Sequence, residues 1–172
     1  KRLIALRALL GIADRSLFDL IKPLVLGEEA DRDTLRAAYD IYAKVGNPKL
    51  AGHLDKRLLS VDLERRAAAV RYLGIVKGRT ALPQLYSLLG DGATIIRLEA
   101  ARAIGDIRQR ESIERIRESL YNETDPQVKL ALLEALASIR DPEGVAVLRF
   151  QLSDPNDTVR RAAIEAMAVI RH

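Results

Sequence analysis

The sequence predicts an all-α protein, a right-handed α-solenoid (an α–α superhelix) of about five helical pairs. Three observations predict it. A large apolar residue recurs at Tyr42, Leu73, Ile104, Leu136 and Met167, with spacings of 31, 31, 32 and 31 residues. Between these runs a second apolar ladder of the same period, at Leu54, Leu85, Ile116 and Leu148. Turn-forming stretches fill the gaps, namely Asn47-Pro48, Gly90-Asp91-Gly92, Asp125-Pro126, Asp141-Pro142 and Asp154-Pro155. There Asp or Asn can cap a helix and Pro can start one.

Each repeat reads as two amphipathic helices. On the second, apolar residues stand three positions before the recurring residue (Tyr39, Val70, Ala101, Leu133, Ile164) and three after it (Val45, Val76, Ile107, Ile139, Ile170). Offsets of three fall on one helical face. The position just after it is small every time, as Ala43, Gly74, Gly105, Ala137 and Ala168, so a neighbouring helix can come close. The first helix carries the other ladder, which Ala51, Leu82, Ile113 and Val145 precede by three residues and Leu58, Leu89, Leu120 and Leu152 follow by four.

One such pair cannot hide both apolar faces, so the pairs stack and share a core. On this reading about eleven helices fill residues 1–172 as a single domain, with 1–30 an irregular first repeat and 31–172 regular. Pro23, inside the apolar stretch SLFDLIKPLVL, kinks its helix or ends it early. Leu3, Leu6 and Leu10 at one end and Ile164, Met167 and Ile170 at the other leave apolar faces open to self-association or further repeats. The chain starts without Met inside a helical pattern, as a piece of a longer protein does.

Composition narrows the chemistry. With 48% apolar and 30% charged residues the chain reads as a soluble, folded protein, and a cytoplasmic location is expected. It has no cysteine, hence no disulfide, thiolate metal site or cysteine nucleophile. No apolar run reaches the roughly 18 residues that span a bilayer, so no membrane insertion is expected. His53 and His172 are the only histidines, and GDGAT at 90–94 lacks the Lys and preceding strand of a phosphate loop. Glu28, Glu29 and Asp31 read as a turn before a helix. No catalytic, metal-binding or cofactor-binding residue is assigned, and no cofactor is expected.

The stretches VRRAAIEAMAVIR, IRLEAARAIGDIR and VKLALLEALASIR resemble HEAT repeats, in the short form named after the phycobilisome lyases. The resemblance covers residues 30–172 and implies the fold far more sharply than the function, because the family includes scaffolds, phycobilin lyases, metal hydroxylases and DNA-binding proteins. Its hydroxylases carry His-Glu pairs, which this chain lacks. In relatives, the basic residue seven before the recurring one pairs with an acid of the adjacent turn. That implies a structural brace at Arg66, Arg97, Lys129 and Arg160, with Asp62, Asp125 and Asp157 the acids near in sequence. A second basic ladder, Lys77, Arg108, Arg140 and Arg171, falls where cations offset a helix dipole.

The position two before the recurring residue faces solvent and holds Asp40, Arg71, Arg102, Glu134 and Glu165. Six before it stand Arg36, Ala67, Leu98, Leu130 and Arg161, which reads either as a small apolar patch rimmed by charge or as packing against the next repeat. The expected function is a non-catalytic scaffold that binds another protein through Arg71, Arg102, Leu98, Leu130, Glu134 and Glu165. Nucleic-acid binding through the basic residues of the same surface is the first alternative, invited by a net charge of +4 and a pI near 9.5. The charge changes sign along the row, where a phosphate track wants one sign. A lyase or chaperone-type subunit is the second alternative, implied by the resemblance alone.

Overall fold

The computed structural model describes residues 4, 11, 18–26, 32–45 and 49–171. The turn at Asn47-Pro48, the acidic turn at 28–31, His172 and the ladder Leu3, Leu6 and Leu10 lie outside them. Ten α-helices and three short 3-10 turns make up the regular structure of the described residues, and no strand occurs among them. The chain forms two compact units, Lys1–Lys77 and Gly78–His172.

The first unit holds α1 (Phe18–Leu26), α2 (Arg32–Val45), α3 (Lys49–Arg57) and α4 (Leu63–Lys77). Helix α1 packs on α2, α3 on α4, and α2 on α4. Their core is Ile21, Leu35, Tyr39, Ile41, Leu54, Val70 and Leu73, all buried. The rings of Tyr39 and Tyr72 stack with centroids 5.0 Å apart. The Tyr72 hydroxyl donates to Asp40 Oδ1 at 2.5 Å, whereas burial pushes the Tyr39 hydroxyl up to about 12, against the pull of Arg57 and Arg65. Asp62 starts α4: its Oδ1 accepts from the backbone N–H groups of Glu64 (3.0 Å) and Arg65 (3.2 Å). Those bonds, the one from the Arg65 amide above all, hold the carboxyl below its ordinary range.

Helix α1 runs three residues past Pro23 rather than stopping at it. The bond that Pro23 cannot donate would have gone to the carbonyl of residue 19, in the first turn of the helix. The loss is confined to one end, and the exposed ring meets no core.

The second unit holds α5 (Leu82–Leu88), α6 (Thr94–Ile107), α7 (Ile113–Asn122), α8 (Pro126–Ile139), α9 (Glu143–Phe150) and α10 (Asp157–Arg171). Helices α6, α8 and α10 pack in a row, while α5, α7 and α9 pair with the helix that follows each of them. The ladder Leu85, Ile116 and Leu148 is fully buried between the two layers, as are Ala101, Ile104 and Leu133. Each such large aliphatic side chain contributes about 1.5–3 kcal/mol by leaving water. Leu152, the last member of the companion row, is exposed, unlike Leu89 and Leu120.

Close approach in the row has a visible cause. A Cβ on Gly105 would lie 3.0 Å from the Ala135 Cα, tighter than an ordinary contact, so glycine lets α6 and α8 meet here without displacing either. Arg108 and Arg140 sit one residue past the ends of α6 and α8 in the left-handed conformation, each with φ 56°. Lys77 differs: it is the last residue of α4, its ammonium pairs with Asp55 at 2.6 Å, and Gly78 takes the left-handed position. Asp125 caps α8 by accepting from the N–H groups of Gln127 and Val128, with Pro126 as the first helical residue.

Candidate protein-interaction surface

In the second unit, the basic residues seven before the recurring position point into the turns. Arg97 grips Glu123 with two parallel bonds, Nε to Oε2 at 2.8 Å and Nη2 to Oε1 at 3.0 Å. Its Nη1 donates to the carbonyls of Asp91 and Gly92. Glu123 Oε1 also accepts from the amides of Thr124 and Asp125, each at 2.9 Å. Burial raises the Glu123 carboxyl, but the Arg97 bonds and these amides outweigh it and hold the group below its ordinary value. The same bonds raise Arg97.

Lys129 repeats the arrangement one repeat later, its Nζ 2.5 Å from Asp154 Oδ2. Asp154 Oδ1 accepts from the Asn156 amide at 2.8 Å. Here too burial is overcome, by Lys129 first, and the Asp154 carboxyl is held low. Arg160 stays local: Nη1 donates to the Asp154 and Pro155 carbonyls and Nη2 to Asp157 at 3.0 Å. Arg66 is half-buried on α4 in the first unit, its amide bonded to the Asp62 carbonyl.

The acids that Arg97 and Lys129 hold are therefore Glu123 and Asp154, not the Asp125 that sequence proximity suggests. The oxygen of Asp125 is spent on the first amides of α8. A signal was there to read. Asp91, Glu123 and Asp154 all stand 13 residues before the recurring position.

On the outward side of α6, α8 and α10 lie the proposed contact residues. Leu98 and Leu130 are half-buried, between the two readings of the sequence. Arg102, Glu134 and Glu165 are exposed. Arg102 Nη1 pairs with Glu99 Oε1 at 3.0 Å. The carboxylates of Glu134 and Glu165 take no ion pair or hydrogen bond among the described residues. Leu98, Arg102, Leu130, Glu134 and Glu165 thus occupy equivalent positions on three adjacent helices, while Arg71 belongs to α4 of the first unit, half-buried there.

Glu99 is a residue the sequence reading missed. It is 4% exposed, and it stands five before the recurring residue, where the other repeats have Ala37, Ala68, Ala131 and Ala162. One carboxylate in a column of alanines was the available sign.

Behind the brace, an open cavity of about 430 Å³ is lined by Tyr86, Asp91, Arg97, Glu118, Asn122 and Glu123 among others. The Tyr86 and Ser112 hydroxyls are 2.9 Å apart beside it. No group of three His, Cys, Asp or Glu side chains among the described residues is placed to hold a metal ion. His53 is half-buried on α3. No helix among the described residues is long and apolar enough to cross a membrane.

The sequence pattern of HEAT repeats matches residues 56–137 and 114–172, together more than half of the chain. The chain belongs to the HEAT-repeat family. No curated protein matches it. Solved structures with the same HEAT-like architecture include human deoxyhypusine hydroxylase in complex with glycerol (14% identity, TM-score 0.52, 99% of this chain and 79% of that one). An engineered protein gives 22% identity and a TM-score of 0.56 over 98% of this chain and 84% of its own. A designed armadillo repeat protein gives 21% and 0.52 over 98% and 92%. At such identities the likeness is one of fold alone. It supports an all-α HEAT solenoid.

Proposed function

We propose that this HEAT-repeat chain is a non-catalytic scaffold that holds another protein on the surface lined by the second helix of each repeat. One observation carries the reading. Glu134 and Glu165 stand exposed and uncommitted beside the half-buried Leu98 and Leu130, in a second unit whose turn carboxylates Glu123 and Asp154 are tied down. Charge of both signs around a partly apolar strip fits a protein surface. The braces keep the presenting helices in register, so little ordering is left to be done at the moment of binding. A polyanion fits less well, since the row passes from Arg102 to Glu134 and Glu165.

The test compares proteins retained by the native chain, by Arg102→Glu and by Glu134→Lys/Glu165→Lys. We expect both variants to lose the partner at unchanged helical content. Retention unaltered in both rejects the surface. Retention of duplex DNA or RNA by the native chain, strengthened by Glu134→Lys/Glu165→Lys and abolished by added salt, assigns it to nucleic acid instead.

A further inference from the structure

The open cavity of about 430 Å³ behind the Arg97–Glu123 brace is bounded by α5, by the last turn of α7 and by the turns that follow them. It lies among the first helices of their pairs, apart from the outward side of α6, α8 and α10. Its size falls within that of small-ligand sites, about 300–1,000 Å³.

The polar groups at this cavity are mostly acceptors. Asp91, Glu118 and Glu123 bring three carboxylates against the one cation of Arg97, whose own bonds all go to Glu123 and to the carbonyls of Asp91 and Gly92. Glu118 gives only Oε2 to Arg115, at 2.8 Å in an exposed pair, which leaves Oε1 open. Asn122 donates to the Glu118 carbonyl and keeps its own Oδ1. Because Glu123 draws the amides of Thr124 and Asp125 to its side chain, the Leu120 and Tyr121 carbonyls receive no backbone N–H. The negative end of α7 therefore borders the cavity. The half-buried ring of Tyr86, steadied by the Ser112 hydroxyl at 2.9 Å, forms one wall.

A negative, acceptor-rich cavity calls for a cation with several N–H donors. A metal ion does not answer, since no three acidic side chains among the described residues are placed to hold one. We propose that the cavity binds a guanidinium group, the head of an arginine side chain. Glu118 and Asn122 stand four apart on α7 and so are neighbours on one face. A planar guanidinium fork can bridge their oxygens while its face lies on the Tyr86 ring, whereas an ammonium lacks the flat, forked donors.

Titration followed by amide NMR tests this with N-acetyl-arginine amide, the same compound of lysine, and N-acetyl-citrulline amide, which keeps the shape and loses the charge. We expect the Gly90, Ser119 and Asn122 signals to move with the arginine compound at a Kd of about 1 mM, ordinary for so small a ligand. The lysine compound should bind several-fold more weakly and the citrulline compound not at all. Glu118→Gln and Tyr86→Leu should each weaken the arginine compound about threefold at unchanged helical content. Both variants leave Arg97 and Glu123 in place, so the brace is not disturbed. An arginine-centred tetrapeptide that binds tighter than free arginine assigns the group to a partner chain; the reverse order assigns it to the free amino acid. Lysine or citrulline matching arginine overturns the proposal. So does an affinity unchanged in either variant, or the absence of any shift at roughly ten times the expected Kd.

Discussion

Replacing Arg97 with alanine removes one partner of a nearly dry ion pair and tests the brace directly. The Arg97 and Glu123 side chains are 17% and 6% exposed, so water replaces the lost bonds poorly. Two charge-assisted bonds at about 1.5–3 kcal/mol each would cost 3–6, and stranding a buried charge costs about 3–5. Glu123 keeps the Thr124 and Asp125 amides, which lowers the figure. We expect a loss of about 2–3 kcal/mol, or more than about 1 M in urea midpoint at an ordinary slope for a small domain. Arg97→Ala/Glu123→Gln should recover about 1 kcal/mol by removing the stranded charge.

The pH dependence has a definite sign. The folded Glu123 carboxyl is held below its ordinary value of 4.5, so the unfolded chain binds more protons between the two values. Stability from the pair is present above the ordinary value and lost as pH falls through the folded one. Urea midpoints measured from neutral pH down into that acid range should fall for the native protein and fall less steeply for Arg97→Ala. A stability change below about 0.5 kcal/mol at neutral pH, the level of a surface pair, would refute the brace. So would identical acid limbs.

Two further substitutions address the helix row and its ends. Gly105→Ala puts a methyl group 3.0 Å from the Ala135 Cα; overpacking of about 1–3 kcal/mol is opposed by about 0.5–1 kcal/mol from the helix preference of alanine, so a net destabilisation of up to about 2 kcal/mol is expected in thermal unfolding. Arg140→Gly relieves a left-handed residue at φ 56°. A gain of about 1 kcal/mol from the backbone, less about 0.5 for the lost cation at the helix end, should leave the variant slightly more stable in urea. Marked loss would mean that the charge matters more than the conformation.

Periodicity made the second helices and the buried ladder legible, because spacing alone says which side chains share a face. Leu85, Ile116 and Leu148 needed no other information. The brace partners were harder. Glu123 and Asp125 are two residues apart, and only the backbone path of the turn decides which carboxylate swings inward and which caps the helix. Glu99 was hidden for a related reason: a face-by-face reading follows what recurs, and this carboxylate does not. At Pro23 an early stop was one of two expected outcomes, and it does not occur because the cost of proline depends on distance from a helix end that the sequence does not mark. Of the outward residues, Arg102, Glu134 and Glu165 are exposed while Arg71, Leu98 and Leu130 are half-buried, and whether a carboxylate there stays uncommitted depends on where neighbouring cations go.

The stacked pair Tyr39–Tyr72 has a practical consequence. The chain has no tryptophan and only five tyrosines. Two of them lie face to face in the first unit, one with a hydroxyl that ionises only near 12. Coupled rings held rigidly in a chiral setting give a near-ultraviolet circular dichroism signal. The molecule thus carries its own optical label in Lys1–Lys77, while the braces under test lie in Gly78–His172. Melting followed at that band and melting followed by total helicity are therefore two different clocks on the same polypeptide.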